Sequence, residues 1–377
     1  MDGSTTEGGV AVTANTGYAT PAAVAAATCV PIPADGGSNA VVGGVSGNVL
    51  IADQLNNRVI EVTRSGAIVW QFGDGTSTPG PTSIVGPNDA ERIPGTGWTL
   101  MTGTGTPPGP WCSVQGDAGC RDDRVMIVAA DGGIVWQYGA GDGGTAFDGG
   151  LLKAPATARY LPATDNTGFH VLIADNGNQR VLEVDQSKRP VWIYQPSGGY
   201  GGYGLVGPNS AERLANGHTL ITDQAGNRVV EVDDAGSTAW QYGNGDAAVL
   251  SAPAFASRLA SGGTLITDSN HQRVIVVVGN TNAGYSVPWT YWTSHRLEYF
   301  GNSTPTRAVR LANGNTLVTE SFYDQVVEVG PDGGVVYTHG ALEVAGNSGN
   351  LLRQPYDSKV IGDYTGLTNP GPGDAGP

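Results

Sequence analysis

The chain's candidates for acid–base or metal chemistry are few: five histidines in 377 residues. His271 (SNHQR), His295 (TSHRLEYFG) and His339 (YTHG) lie where an otherwise repeated text breaks down. An imidazole near the carboxylate Glu320 and the guanidinium Arg296 has the parts for proton transfer or for holding an anion. Three converging imidazoles would suit zinc, which makes His271, His295 and His339 the metal candidates. Asp74, Asp142 and Asp246 sit in glycine-rich loops that could hold calcium, although none has the ligand density of an EF-hand loop. Tyr291, Trp292 and Tyr323 lie beside the histidines, and Tyr200 and Tyr203 stand in GGYGGYG. Such aromatics suit adaptable ligand contact. Each histidine taken alone reads as a solvated loop residue. No G-x-S-x-G, H-E-x-x-H or P-loop motif is present.

These residues must be positioned by a recurring text, cleanest from Pro208: PNSAERLANGHTLITD, then RVVEV, then TAWQYG. Six copies are legible, with cores at Val49, Thr99, Val171, Thr219, Thr264 and Thr316. Their runs are short, rich in Val, Ile, Thr and aromatics, and bounded by Gly, Asn and Asp turns, which predicts strands. No window carries a sustained 3.6-residue apolar stripe, so almost no helix is expected. Four strands per copy at a period of roughly 45 to 50 residues predicts an all-β, six-bladed β-propeller with four-stranded antiparallel blades.

The repeat also separates scaffold from site. Asp53 and Arg58, Asp175 and Arg180, Asp223 and Arg228, and Asp268 and Arg273 recur at one spacing. They read as charge-assisted pairs holding each blade's loop rather than as a ring of metal ligands. Arg92, Arg213, Arg258 and Arg310 recur too, as do Trp70, Trp136, Trp192, Trp240 and Trp289, expected to pack between blades and anchor their indole N–H groups. With the Pro-initiated strand innermost, the loop after the Asp and the link to the next blade share one face, here called the loop face. The Asn-Gly turns mark the opposite, turn face. His170 and His218 fall on the turn face and are set aside. His271, His295 and His339 fall on the loop face, in blades five and six. There Gln325 replaces the paired Arg, which would leave Glu320 free for another partner.

Over residues 39–361 the repeat resembles the NHL-type six-bladed propellers, and is similar to arylsulfotransferase-like and quinoprotein-like propeller repeats. The resemblance implies the fold and leaves the activity open, because such families share blades but not chemistry. NHL-type lyases use histidines from several blades around a zinc, which here would draw on His271, His295 and His339. An arylsulfotransferase-like site needs a nucleophilic His and an anion-binding Arg, for which His295 with Arg296 is the adjacent pair.

Three stretches are expected: an irregular N-terminal extension at 1–38, the propeller at 39–361, and a tail or linker at 362–377. RQPYDSKVI, from Arg353, repeats the inner-strand wording, so residues 354–361 are expected to complete blade one, with 39–45 as the alternative. A net charge of −15 argues against nucleic acid or an anionic membrane as partner. No apolar run is long enough for a transmembrane helix. MDGSTTEGG has no signal-peptide character, and a leader is expected to have been removed. Cys112 and Cys120 are spaced to close a hairpin loop by a disulfide, consistent with an oxidising compartment. Cys29 is left without an assigned partner. The function expected is a secreted or cell-surface binding scaffold for a protein, peptide or glycan. The alternative is a propeller enzyme of lyase, hydrolase or sulfotransferase type at the channel mouth. No cofactor is assigned beyond the calcium and zinc options.

Overall fold

In a computed structural model, described over residues 47–112, 119–140, 152–162, 168–196, 204–293 and 304–370, each copy of the repeat becomes one radial blade. Blade one holds β1 (Val49–Asp53), β2 (Arg58–Val62) and β3 (Ile68–Phe72). Blade two is β4 (Pro87–Arg92), β5 (Thr99–Gly103), β6 (Arg124–Val128) and β7 (Ile134–Gly139). Blade three is β8 (Pro155–Leu161), β9 (His170–Asp175), β10 (Arg180–Asp185) and β11 (Pro190–Tyr194). Blade four is β12 (Pro208–Arg213), β13 (Thr219–Asp223), β14 (Arg228–Val232) and β15 (Thr238–Tyr242). Blade five is β16 (Pro253–Arg258), β17 (Thr264–Asp268), β18 (Arg273–Asn280) and β19 (Gly284–Trp292). Blade six is β20 (Pro305–Arg310), β21 (Thr316–Glu320), β22 (Gln325–Val329) and β23 (Val335–Gly340). The remaining strand, β24 (Asp357–Val360), completes blade one.

Proline opens the inner strands of blades two to six. This is a position it tolerates, because an inner strand is a sheet edge and its first residue need not donate an N–H. A bulge follows each of these prolines, as between Pro208 and Ser210. Closure follows the expectation for the C-terminal segment: Leu50 pairs with Lys359, and Ala52 with Asp357. The alternative segment 39–45 lies outside the described residues, and β24 occupies the edge of β1 that it would have needed. The expected tail begins as a strap across the turn face. Ala312 N–H donates to Asp363 at 2.8 Å, Tyr364 hydroxyl donates to the Arg92 carbonyl, and Thr368 donates to Glu212 at 2.6 Å. Those contacts reach blades six, two and four.

Burial explains why a blade is stable only in the ring. Each of six apolar clusters draws residues from two neighbouring blades, for instance Ile60 and Val62 with Leu317 and Val326 across the closure. Each blade therefore buries both faces against its neighbours, and no blade can do so alone. Indole N–H groups lock the seams. Trp70 donates to Ala130 O, Trp136 to Gln186 O, Trp192 to Asp234 O, Trp240 to Gly279 O and Trp289 to Pro331 O, at 2.9 to 3.1 Å. Arg92, Arg213, Arg258 and Arg310 lie over the rings of Trp70, Trp192, Trp240 and Trp289 at 4.7 to 5.1 Å. At the blade six to blade one seam another pair does the same work: Arg64 lies over Tyr337 at 4.7 Å and pairs with Glu328 at 2.7 Å.

Candidate functional site

The loop face is built on the recurring carboxylates. Arg58, Arg180, Arg228 and Arg273 each donate Nε–H to Asp53, Asp175, Asp223 and Asp268, at 2.7 to 3.0 Å. The other carboxylate oxygen accepts backbone N–H groups from the segment leading into an inner strand, such as Arg353 on Asp53 and Ser251 on Asp268, both at 2.8 Å. Burial raises the Asp53 and Asp175 carboxyls, and their Arg and N–H partners pull them back. These aspartates are therefore latches.

Blade two keeps the latch without the sequence position. Gly103 stands where four other blades carry Asp and blade six carries Glu, and Asp122, from the insertion, takes its place. It ion-pairs with Arg124 and accepts Val85 N–H at 2.7 Å. A Cβ on Gly103 would come within 2.2 Å of that carboxylate, so the missing side chain makes the room. The expected Cys112–Cys120 disulfide closes the insertion.

Blade six keeps a weaker latch. Glu320 is fully buried, accepts a hydrogen bond from Gln325 Nε2 at 2.6 Å, and accepts another from Tyr291 hydroxyl at 3.3 Å. The expectation that loss of the Arg frees Glu320 is corrected: an amide replaces the guanidinium within the same pair.

The histidines do not form a shared site in the described residues. His271 Nδ1 lies 2.8 Å from Asp268, inside the blade-five latch. His339 sits opposite Val326 in blade six and is 2 % exposed. Burial, and then the positive charge of Arg58, pushes its imidazole down to about 4. His295 and Arg296 lie outside the described residues. Among the described residues no group of three or more His, Cys, Asp or Glu side chains is placed to hold a metal ion. Of the calcium candidates, Asp74 accepts bonds from Thr76 and Thr82, Asp246 accepts Ala248 N–H, and Asp142 lies outside the described residues.

The aromatic candidates divide by alternation. Tyr291 and Tyr323 are buried, at 5 % and 1 % exposure, and so belong to the packing rather than to a contact surface. Their chain neighbours are the exposed ones: Trp292 at 38 % and Phe322 at 51 %. Trp292 carries the Arg273 guanidinium 5.6 Å from its ring centroid. Tyr200 and Tyr203 lie outside the described residues.

The ring axis holds a buried ionic network that the repeat did not announce. Asp89 is its hub. Lys359 from blade one, Arg159 from blade three and Arg307 from blade six all converge on its carboxylate, and Ala158 N–H donates to it at 3.0 Å. Burial alone would raise this carboxyl; Arg159, Lys359 and Arg307 outweigh it and hold it far below the usual range. Glu91 lies beside the hub without a cation of its own, and burial pushes it up to about 7. Arg159 also reaches Glu212 at 2.6 Å, and Arg307 reaches Asp357.

Above this network, toward the loop face, amides and a phenol bridge the mouth. Gln54 donates to Asn88. Tyr356 of blade one donates to Asn209 of blade four, directly across the ring, at 3.1 Å, and is also hydrogen-bonded to Gln224. On the turn face a cleft of about 400 Å³ opens beside Asn48, Glu61, Arg92 and Tyr364. Its polar side chains are spent on one another: Asn48 and Arg92 both donate to Glu61 at 2.6 Å, and Tyr364 donates to the Arg92 carbonyl. That cleft belongs to the blade one to blade two seam.

No protein-family model matches the chain, and no curated protein sequence is similar to it at a significant level. Solved structures are similar. A protein of unknown function from Bacteroides caccae is 13% identical, with a TM-score of 0.51 over 78% of this chain and 93% of that one. A streptogramin B lyase is 12% identical, with a TM-score of 0.49 over 80% of each chain. A putative 6-phosphogluconolactonase from Bacteroides fragilis is 10% identical, with a TM-score of 0.48 over 83% of this chain and 98% of that one. At such identities the likeness concerns fold alone: the chain is a six-bladed β-propeller.

Proposed function

We propose that this propeller is a binding scaffold that engages a protein, peptide or glycan through its loop face at blades five and six, outside the cell or at its surface. The observation that carries the reading is the pair Trp292 and Phe322, exposed beside the buried Tyr291–Glu320 hydrogen bond that ties blade five to blade six. A rigid base under exposed large aromatics is the usual make-up of a contact hot spot. The disulfide fits an oxidising compartment. A net charge of −15 disfavours nucleic acid as the partner. The NHL-type wording of the repeat is part of this reading, as a scaffold that presents loops.

The test is a paired array of extracellular-type peptides and oligosaccharides, probed with the full chain and with Trp292→Ala and Phe322→Ala. Binding that falls about tenfold or more in these variants, with melting temperature unchanged, supports the reading. Binding indifferent to both substitutions, or turnover of the bound probe, contradicts it.

A further inference from the structure

We propose that the turn-face seam between blades five and six is a binding site for a single carboxylate, presented as an acidic side chain of a partner polypeptide. The site lies on the opposite face from Trp292 and Phe322 and stands independently of the binding reading above. Its basis is a charge that the other seams balance and this one does not. In three seams the Arg that ends an inner strand donates Nη2–H to a Glu on the third strand of the preceding blade. Arg92 donates to Glu61, Arg213 to Glu183 and Arg258 to Glu231, each at 2.6 Å. Each of these glutamates stands opposite its blade's tryptophan, Trp70, Trp192 or Trp240. In blade five the residue opposite Trp289 is Val276, so Arg310 has no carboxylate to meet.

The two remaining seams show that the mismatch is peculiar to Arg310. Between blades two and three both charges are absent: Ile127 stands opposite Trp136, and Tyr160 takes the Arg position. Between blades six and one Glu328 is present and Val360 takes the Arg position, but Arg64 pairs with that Glu at 2.7 Å. The guanidinium of Arg310 is nevertheless held as its counterparts are. Its Nη1–H donates to Gly314 O at 2.9 Å, as Arg92 and Arg213 donate to Gly97 and Gly217, and it lies over Trp289 at 4.8 Å. That Nη1 bond is its one side-chain hydrogen bond among the described residues, so Nη2 points without a partner to where the glutamates sit in the other seams. Burial pushes the Arg310 guanidinium down with nothing to oppose it, whereas Glu61 and Glu231 oppose it at Arg92 and Arg258.

The place is open to a ligand. Arg310 is half-buried, and the glutamate side chains that fill the equivalent place in the other three seams are themselves 11 to 14 % exposed. The shorter Val276 leaves that outer position to solvent. Val278, two residues on and on the same face of β18, is 42 % exposed, and Trp289 is only partly buried, so the rim is apolar. One guanidinium balances one negative charge. A net charge of −15 repels polyanions at long range, so a lone acidic side chain in an otherwise uncharged, partly apolar segment fits where a sulfated glycan or nucleic acid does not.

The probe is a library of short peptides, each carrying one Glu or Asp among apolar and neutral residues, titrated against the full chain. Matched Gln or Asn peptides, phosphoserine peptides and free glutarate are the controls. Acidic peptides should bind about tenfold more tightly than their amide counterparts, the gain from one charge-assisted hydrogen bond. Val276→Glu supplies the carboxylate from within, and Arg310→Gln removes the cation; each should abolish the preference. Val276→Glu keeps Arg310 on Trp289 and should melt no lower than the parent, which covers the case in which Arg310→Gln disturbs folding. Trp292→Ala and Phe322→Ala should leave the preference intact. Four outcomes overturn the inference: equal binding of acid and amide peptides, a preference that persists in both seam variants, tighter binding of the phosphoserine set, or glutarate binding as tightly as the best acidic peptide. Peptide binding that depends on Trp292 and Phe322 but not on Arg310 also overturns it, and leaves the loop-face reading standing.

Discussion

Substituting Glu91→Gln should make this protein more stable above neutral pH, although it removes a carboxylate from a network of buried ions. Glu91 lies at the axis, fully buried, facing Arg159, Lys359 and Asp89, and it accepts Tyr160 N–H at 3.0 Å. Burial pushes the carboxyl up to about 7 from an ordinary 4.5; Arg159 and Lys359 only partly oppose this. The folded value is the higher one, so the carboxyl's contribution to stability is complete below about 4.5 and is lost as pH rises through about 7. That displacement corresponds to about 3 kcal/mol in all, of which about 2 to 3 kcal/mol is lost between roughly pH 5 and pH 8.5. Glutamine keeps the shape and the acceptor and cannot ionise. Urea unfolding of both proteins at several pH values reads the difference, and other titrating groups cancel. The variant's advantage should grow by about 2 to 3 kcal/mol over that window, or about 5 °C in Tm at about 2 °C per kcal/mol for a chain of this length. A difference that stays flat across the window would refute the argument, because it would mean that Glu91 does not titrate there.

Ring closure and the latches give further tests. Truncation after residue 350 removes β24, with Lys359 and Asp357, and uncovers the edge of β1. Stripping the Asp89 hub of one buried cation partner alone costs about 3 to 5 kcal/mol, so a fall in Tm of at least about 6 °C is expected by calorimetry, and an unchanged Tm would refute closure by β24. Asp122→Ala should destabilise the fold by about 3 kcal/mol, as much as Asp53→Ala, because each strands a buried arginine. If Asp122→Ala behaves as an ordinary loop substitution in urea unfolding, blade two has no latch. His339 is buried and held neutral, its folded value depressed to about 4, so its contribution is full above its ordinary 6.5 and fades as pH falls toward 4. A neutral His339→Gln protein should lose less Tm than the parent between those values.

The architecture was legible because repetition amplifies weak local signals. One run such as TLITD is an ambiguous strand, but six at one spacing determine the blades, and the same repetition marks the Asp, Arg and Trp positions as scaffold. Closure was legible from QPYDS, which repeats the Pro-initiated wording of PNSAE. What escaped was whatever left the register. Asp122 takes over a latch from nineteen residues past Gly103, through an insertion, and its signal was a Gly at the Asp position followed by two aspartates before Arg124. The axial network escaped because its members fill two inner-strand levels, Asp89 and Arg307 at one and Arg159 and Lys359 two residues further on, with different residues from blade to blade, so comparing copies shows only variation. Charged residues in strands that must be wholly buried were the available clue. Tyr291 and Tyr323 against Trp292 and Phe322 is a one-residue matter of which side faces out, and a strand's pattern does not set that where the blade turns into its loop.

The most direct test of the loop face as the binding surface is amide hydrogen exchange of the full chain, with and without the tightest-binding member of the oligosaccharide and peptide arrays. Slowed exchange is expected at residues 54–57, 224–227 and 321–324, with residues 93–97 and 361–364 around the turn-face cleft unchanged. Slowing confined to the turn face, or no slowing on the loop face at saturating ligand, would contradict it.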